Sequence, residues 1–215
     1  MTEVLAAALS VGYNPSGMAA QIKDFWAWFQ SVEITLRNLT AEDPLWADLT
    51  QRVRSLGAGG WEIGPAIASE ARFMFAISPR GDREKLELCR WIVSQAPALP
   101  QWEFCPAKPR KLWRRRFRWS SRQIDIDASG WRFAVYRFDD GRCEVVLIGD
   151  VLEKLAPREQ EKVLVFVLES ELGEAQCIEK LCGFEIERAP SREDEENSMP
   201  ITDLFGAVSN TVLNS

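Results

Sequence analysis

The sequence predicts an α+β fold, in which an N-terminal helical hairpin packs on a mixed or antiparallel sheet built from two ββαβ units. Three observations indicate this fold. Apolar residues recur at three- and four-residue spacing over residues 22–39, which is typical of a core-facing helix. Short β-rich segments follow the glycine-rich break at residues 57–60. The same order of segments recurs from residue 130 onward.

The helical hairpin is predicted over residues 20–57, with its second helix at residues 44–56. Asp43 and Pro44 form a good cap and first-turn pair for that helix, and Gly57 can end it. The two predicted helices are joined by a short polar link, which is typical of an αα-hairpin.

The first ββαβ unit is predicted over residues 58–107 and the second over residues 130–190. Together with the hairpin they are expected to form a single domain, residues 20–190. Both units open on Gly-Trp and continue as strand, turn, strand, helix and strand. The last strand of the first unit, Trp102-Glu103-Phe104, is similar to Phe184-Glu185-Ile186 in the second. We interpret the repeated order as an internal duplication.

Three segments are predicted to lie outside this domain. Residues 1–19 are Ala-rich and lack the basic start of a signal peptide, so we interpret them as an N-terminal arm that is either a weak helix or loose. Residues 191–199 are polar and acidic, which is typical of an exposed linker. Residues 200–215 carry apolar residues at helical spacing and are predicted to form an amphipathic helix, which either docks on the body or serves a partner.

A basic and aromatic segment, residues 108–129, is predicted to connect the two units as a strand. Its first part, residues 108–122, contains eight Lys or Arg and no acid, in a chain whose net charge is −6. If residues 112–122 are extended, alternation places arginines on one face and aromatic side chains on the other. The aromatic residues are Trp113, Phe117 and Trp119. The arginines, which we call the arginine row, are Arg114, Arg116, Arg118 and Arg122.

The arginine row is the candidate binding site. Guanidinium groups bind carboxylates and phosphates through paired N–H donors. We predict a non-catalytic binding or regulatory protein that contacts a protein partner through this row, through the overall acidic surface or through the C-terminal helix. The alternative is binding of nucleic acid or another polyanion, with the arginine row on phosphates and Trp119 stacked on a base.

Structural interpretations of the arginine row stay open beside these functional ones. Charged side chains commonly cover exposed strands, and they keep a sheet from pairing with other chains. The row can also be neutralised within the molecule by the acidic segment near the C-terminus. The acids of that segment are Glu193, Asp194, Glu195 and Glu196.

The chain contains no histidine, which removes the usual general base and the commonest zinc ligand. We predict no catalytic residues, no metal site and no cofactor. Asp125 and Asp127 share one face of a predicted strand and are interpreted as a polar, solvated face. An enzyme that works with such carboxylates is the minor alternative.

Composition also bears on the compartment. The longest apolar runs, residues 145–148 and 163–168, are too short to span a bilayer. The five cysteines contain no CxxC pair, which is typical of free thiols rather than of a disulfide framework. The net negative charge speaks against nucleic-acid binding by the molecule as a whole. We predict a cytoplasmic protein with no membrane span.

Five short motifs rich in Trp, Pro and Gly occur between residues 22 and 188. They are Phe25-Trp26-Ala27-Trp28-Phe29, Trp61-Glu62-Ile63-Gly64-Pro65, Ile77-Ser78-Pro79, Ala96-Pro97 and Leu172-Gly173-Glu174. This set resembles uncharacterised bacterial proteins of unknown function. The resemblance implies no activity and no catalytic residues. By analogy with other small acidic proteins of the cytosol, it is compatible with an immunity-like, toxin-neutralising role.

Overall fold

The computed structural model describes most of the chain and shows an α+β protein. The described residues are 15–119, 123–149, 152, 155–187 and 190–209. Within them lie seven α-helices and nine β-strands, which confirms the predicted fold class. The chain divides into two compact units, Met1–Pro109 (unit 1) and Arg110–Ser215 (unit 2), each with a hydrophobic core of its own. The strands form three separate sheets instead of the expected single one. The prediction of one domain over residues 20–190 stays a prediction.

The helical hairpin of unit 1 consists of α1, Pro15–Leu36, and α2, Pro44–Ser55. Asp43 caps α2 as predicted, because its carboxylate accepts a hydrogen bond from the backbone N–H of Leu45 at 2.8 Å. Both helices contribute buried side chains to the core of unit 1. Neither they nor any other helix in the described ranges is long and apolar enough to cross a membrane.

The start of α1 corrects the predicted boundary of the N-terminal arm. The helix begins at Pro15, inside the segment that is predicted to be a weak helix or a loose arm, so residues 15–19 belong to the helical hairpin. Met18 is buried in the core of unit 1, so the first turns of α1 make apolar contacts that composition alone does not indicate. Residues 1–14, the remainder of the predicted arm, lie outside the described residues.

The first ββαβ unit has the predicted order. It consists of β1 (Gly60–Pro65), β2 (Phe73–Ser78), α3 (Arg83–Ser94) and β3 (Trp102–Cys105). The central strand β2 runs antiparallel to β1 and parallel to β3. It is buried from Met74 to its end, which is typical of a strand that is covered on both faces.

The second ββαβ unit repeats this topology in unit 2. Its elements are β6 (Arg132–Arg137), β7 (Cys143–Ile148), α4 (Pro157–Leu172), the short helix α5 (Glu174–Lys180) and β8 (Leu181–Glu187). The central strand β7 runs antiparallel to β6 and parallel to β8, as β2 does between its neighbours. The similar triplets at residues 102–104 and 184–186 both lie in the strand that pairs in parallel with the central one.

The acidic segment near the C-terminus is not the exposed linker that its composition predicts. It forms the helix α6, Arg192–Asn197, which begins after Ser191. The Ser191 hydroxyl oxygen caps the helix by accepting a hydrogen bond from the backbone N–H of Asp194 at 3.1 Å. Asp194 itself is buried, and its carboxylate accepts hydrogen bonds from the hydroxyls of Tyr136 and Ser191. These bonds tie α6 to β6 within unit 2.

The C-terminal segment docks on unit 2 in three short pieces instead of one helix. Strand β9, Met199–Pro200, pairs with β6, a 3₁₀ turn follows at Ile201–Asp203, and α7 spans Leu204–Ser209. Their buried residues Ile201, Leu204 and Val208 belong to the core of unit 2. Pairing of β9 with β6 accounts for the extended start, because a helix at these positions would forgo those backbone hydrogen bonds. Residues 210–215 of the predicted helix lie outside the described residues.

The contacts of Asp194 predict acid-sensitive stability. Hydrogen bonds from Ser191 and then from Tyr136 hold the pKa of the Asp194 carboxyl below its ordinary value. A carboxyl with a lowered folded-state pKa stabilises the fold above its unfolded pKa, about 3.9. That contribution is lost as the pH falls through the folded value. Asp194→Asn should therefore lower the urea midpoint of unfolding at neutral pH. The difference in midpoint between the variant and the wild type should become smaller at about pH 3.

The matched control is Glu193→Gln, which removes an exposed acid from the same helix. We expect its urea midpoint to follow that of the wild type at both pH values. A gap between Asp194→Asn and wild type that stays constant from neutral to acid pH would contradict the assignment of this stability to the Asp194 carboxylate.

Candidate functional site

The arginine row lies on a two-stranded antiparallel sheet in unit 2. Its strands are β4, Arg116–Trp119, and β5, Ile124–Asp127. Arg116 and Arg118 lie within β4, and Arg114 precedes the strand. Arg122, the last member of the predicted row, lies outside the described residues. The extended conformation predicted for residues 112–122 is confirmed in part, since the regular strand spans only the residues of β4.

Side chains of this segment alternate between two faces, as the sequence predicts. Arg114, Arg116 and Arg118 are exposed on the outer face, whereas Trp113, Phe117 and Trp119 are partly buried against the core of unit 2. Leu112, which precedes them in the chain, is 87% exposed. The segment therefore presents three guanidinium groups and an exposed aliphatic side chain to solvent.

The aromatic residues hold the hairpin in place from its inner face. The ring of Phe117 lies 4.8 Å from that of Phe166 on α4 and 5.7 Å from that of Trp113, measured between centroids. The indole N–H of Trp119 is buried and has no hydrogen-bond partner among the described residues. Trp119 thus lies on the opposite face from the arginines, although sequence reasoning assigned both to one binding site.

The outer face is not purely basic, because β5 supplies carboxylates to it. The strand register places Arg116 opposite Asp127 and Arg118 opposite Asp125. The Nε of Arg116 donates to Oδ2 of Asp127 at 2.8 Å. The hydroxyl and backbone N–H of Ser129, together with Arg116, lower the pKa of Asp127. These two aspartates were singled out as a polar strand face, and here they lie beside the arginine row.

Two acids of α6, Asp194 and Glu196, are engaged elsewhere. Asp194 accepts its hydrogen bonds from Tyr136 and Ser191, and Glu196 pairs with Arg192 at 2.8 Å. The counter-ion that the structure shows for the arginine row is instead Asp127. Strand pairing explains this choice, because cross-strand neighbours in a sheet bring their side chains to about 5 Å without ordering any further chain.

Sequence reasoning missed an inward-pointing ion pair beneath this face. Arg115 has a left-handed backbone conformation, with φ of 60°. Its Nη2 donates to Oε2 of Glu171 at 2.9 Å, and its Nε lies 2.7 Å from Oε1. The indole N–H of Trp113 donates to the same Oε1 at 3.0 Å. Glu171 is only 1% exposed, so its buried charge is matched by a guanidinium and an indole.

A sequence signal for this ion pair does exist. Glu171 lies three and four residues after Leu168 and Val167, on the apolar face of α4. An acid at such a position needs a cationic or hydrogen-bonding partner if the apolar face of the helix packs against the core. Alternation likewise places Arg115 on the inner face with Trp113 and Phe117. Neither observation identifies the partner, because the two residues are far apart in the chain.

Two thiols of the described residues, Cys105 and Cys177, offer little nucleophilic chemistry. Burial, together with the neighbouring Glu103, raises the pKa of Cys105 to about 12. Burial also raises the pKa of Cys177, with Glu169 and Glu174 adding to the effect. Thiols of this kind stay protonated at neutral pH, and the thiolate is the reactive form. In the ranges that the structure describes, no cluster of His, Cys, Asp and Glu is suited to holding a metal ion.

No protein-family model, no curated protein and no solved structure matches this chain. The candidate site is the outer face of the β4–β5 hairpin, where arginines face aspartates.

Proposed function

We propose that this protein is a non-catalytic binding protein that recognises a protein partner through the outer face of the β4–β5 hairpin. The observation that carries the proposal is that the arginines of β4 directly face the aspartates of β5. A surface with both signs of charge at fixed spacing suits a partner that presents its own charged and apolar side chains. Arginine is also enriched in protein interfaces, where its planar guanidinium combines hydrogen bonding with packing.

The same arrangement disfavours the polyanion alternative. A nucleic-acid backbone carries negative charge along its whole length, and binding proteins neutralise it with uninterrupted basic residues. Here Asp125 and Asp127 lie opposite the arginines and would repel a phosphate chain that lay across the outer face of both strands. Trp119, the expected stacking residue, packs on the inner face. Both features favour a protein partner over a phosphate chain.

The inner-face packing supports the proposal in a second way. Phe117 and Trp113 pack against Phe166, and Arg115 is anchored on Glu171. A face that is held rigid before binding loses less conformational entropy when the partner docks. The arginines are therefore displayed from a supported strand.

A charge-reversal experiment tests the proposed function. In affinity cross-linking from a lysate, the variant Arg114→Glu/Arg118→Glu should capture at least tenfold less partner than the wild type does. The reason is that truncation of a central interface arginine commonly costs about 1–2 kcal/mol, and a reversed charge adds repulsion. The matched control, Arg158→Glu/Lys162→Glu, changes the net charge equally at two exposed residues of α4 and should capture the partner normally.

Two outcomes would count against this proposal. Equal capture by both variants and wild type would show that the arginine row is not the contact. Salt-sensitive binding of a labelled oligonucleotide by the wild type, lost in the first variant, would instead favour the polyanion alternative. A toxin among proteins captured through the arginine row would support the immunity-like role.

The proposal includes a cytoplasmic location. The five cysteines all lie within the described residues and form no disulfide there. Cysteines without disulfides are typical of a reducing compartment. A fusion to a fluorescent protein, imaged in the source cells, should give signal throughout the cytoplasm, and an envelope-restricted signal would contradict this assignment.

A further inference from the structure

The β4–β5 hairpin is a sheet of only two strands, and within the described residues each strand pairs with the other alone. Strands at a sheet edge offer backbone N–H and C=O groups to a further strand. We infer that the protein partner contributes an extended segment with acidic side chains at alternate positions, which pairs with β4 as a third strand. This inference rests on the proposed function and names the class of its partner.

Charge decides which of the two edges accepts the segment. A strand added beside β4 places its side chains directly opposite Arg116 and Arg118, whereas one added beside β5 meets Asp125 and Asp127. Opposite charges at directly facing positions stabilise a strand pair, and like charges destabilise it. An acidic segment is therefore accepted at β4 and rejected at β5. A second copy of β4 is rejected as well, because its arginines would face those already there.

The spacing of the arginines determines the pattern of acids. Residues on one face of a strand lie about 7 Å apart, so acids at alternate positions match Arg116 and Arg118 one to one. The bond from Nε of Arg116 to Asp127 does not exhaust that side chain, because a guanidinium carries five N–H donors. Arg114 and Leu112 are also exposed, but the left-handed Arg115 separates them from the regular strand, so the one-to-one match is limited to Arg116 and Arg118.

The test uses short fluorescent peptides in which glutamate alternates with threonine, and their affinity is measured by fluorescence anisotropy. Threonine favours the extended conformation and adds no charge. Two further peptides carry backbone N-methyl groups at alternate residues. The first is methylated at every glutamate and the second at every threonine. The N–H groups of alternate residues point to opposite edges of a strand, so each methylated peptide is blocked along one edge only. A scrambled peptide with contiguous glutamates controls for charge.

We expect the alternating peptide to bind the wild type, and to bind Arg116→Glu/Arg118→Glu at least tenfold more weakly. One methylated peptide should lose at least tenfold in affinity, and the other should bind like the parent peptide. The control variant Arg158→Glu/Lys162→Glu should bind all peptides as the wild type does.

The remaining outcomes overturn the inference in distinguishable ways. If both methylated peptides bind equally, or the scrambled peptide binds as tightly as the alternating one, contact depends on charge alone and strand addition is wrong, while the proposed function stands. Strand addition is also wrong, and the proposed function again stands, if no peptide binds but capture of the partner still requires the arginine row. Tighter binding of an oligonucleotide than of any peptide would overturn both the inference and the proposed function.

Discussion

Replacing Arg115 by alanine should lower the free energy of unfolding of unit 2 by about 3 kcal/mol. The guanidinium of Arg115 is 21% exposed, and the carboxylate of its partner Glu171 is 2% exposed. Removal of the guanidinium leaves a buried carboxylate that keeps, among the described residues, the hydrogen bond from the indole N–H of Trp113. Such an uncompensated charge is costly because the interior solvates it far less than water does.

The choice of alanine isolates the contribution of the side chain. Arg115 has a positive φ, and alanine bears the same backbone strain there as arginine does. The neighbouring variant Arg114→Ala removes an exposed guanidinium of the same segment and should change stability by no more than about 0.5 kcal/mol. Hydrogen exchange read by mass spectrometry is suited to the measurement, because it follows peptides of unit 2 separately from those of unit 1.

A double variant checks the electrostatic explanation. In Arg115→Met/Glu171→Leu both charges are removed together, so no charge is left buried without a partner. We expect this protein to be more stable than Arg115→Ala, because replacement of a whole buried pair by apolar residues is often nearly neutral. An Arg115→Ala protein as stable as Arg114→Ala would show that the ion pair contributes nothing to unit 2.

Replacing Phe29 by alanine should destabilise unit 1 by about 3–5 kcal/mol. Phe29 is fully buried on α1, and its ring lies 5.0 Å from Phe75 on β2 and 5.1 Å from Trp102 on β3, between centroids. The substitution removes apolar surface from the core and leaves a cavity between the helix and two strands. The same exchange measurement should show faster exchange throughout unit 1.

The control for this cavity lies on the same helix. Ile34 is 70% exposed, so Ile34→Ala removes a branched side chain of α1 without opening the core. Its expected effect is within about 0.5 kcal/mol of wild type. A loss below about 1 kcal/mol for Phe29→Ala would contradict the view that this ring joins α1 to the sheet.

Much of the fold could be predicted because its signals are local. Asp43 and Pro44 mark the start of α2, since a cap and a first-turn proline act within a few residues. Both ββαβ units follow from turn residues and from periodicity that changes between strand and helix. The predictions that were wrong concern segments whose structure depends on distant residues. The acidic segment of α6 has the composition of a linker, and contacts with distant residues, such as that of Asp194 with Tyr136, 58 residues earlier, hold it against unit 2.

In the candidate site, too, local features could be predicted from the sequence and long-range pairings could not. By itself, the amino-acid sequence determined that arginines and aromatic residues within residues 113–119 lie on opposite faces of a strand, because alternation is a property of any extended chain. Tertiary structure alone decided that Asp125 and Asp127 face those arginines, that Arg115 turns inward to Glu171, and that the strands divide into three sheets. These are choices among distant partners, and they follow from strand register and from the burial of charge.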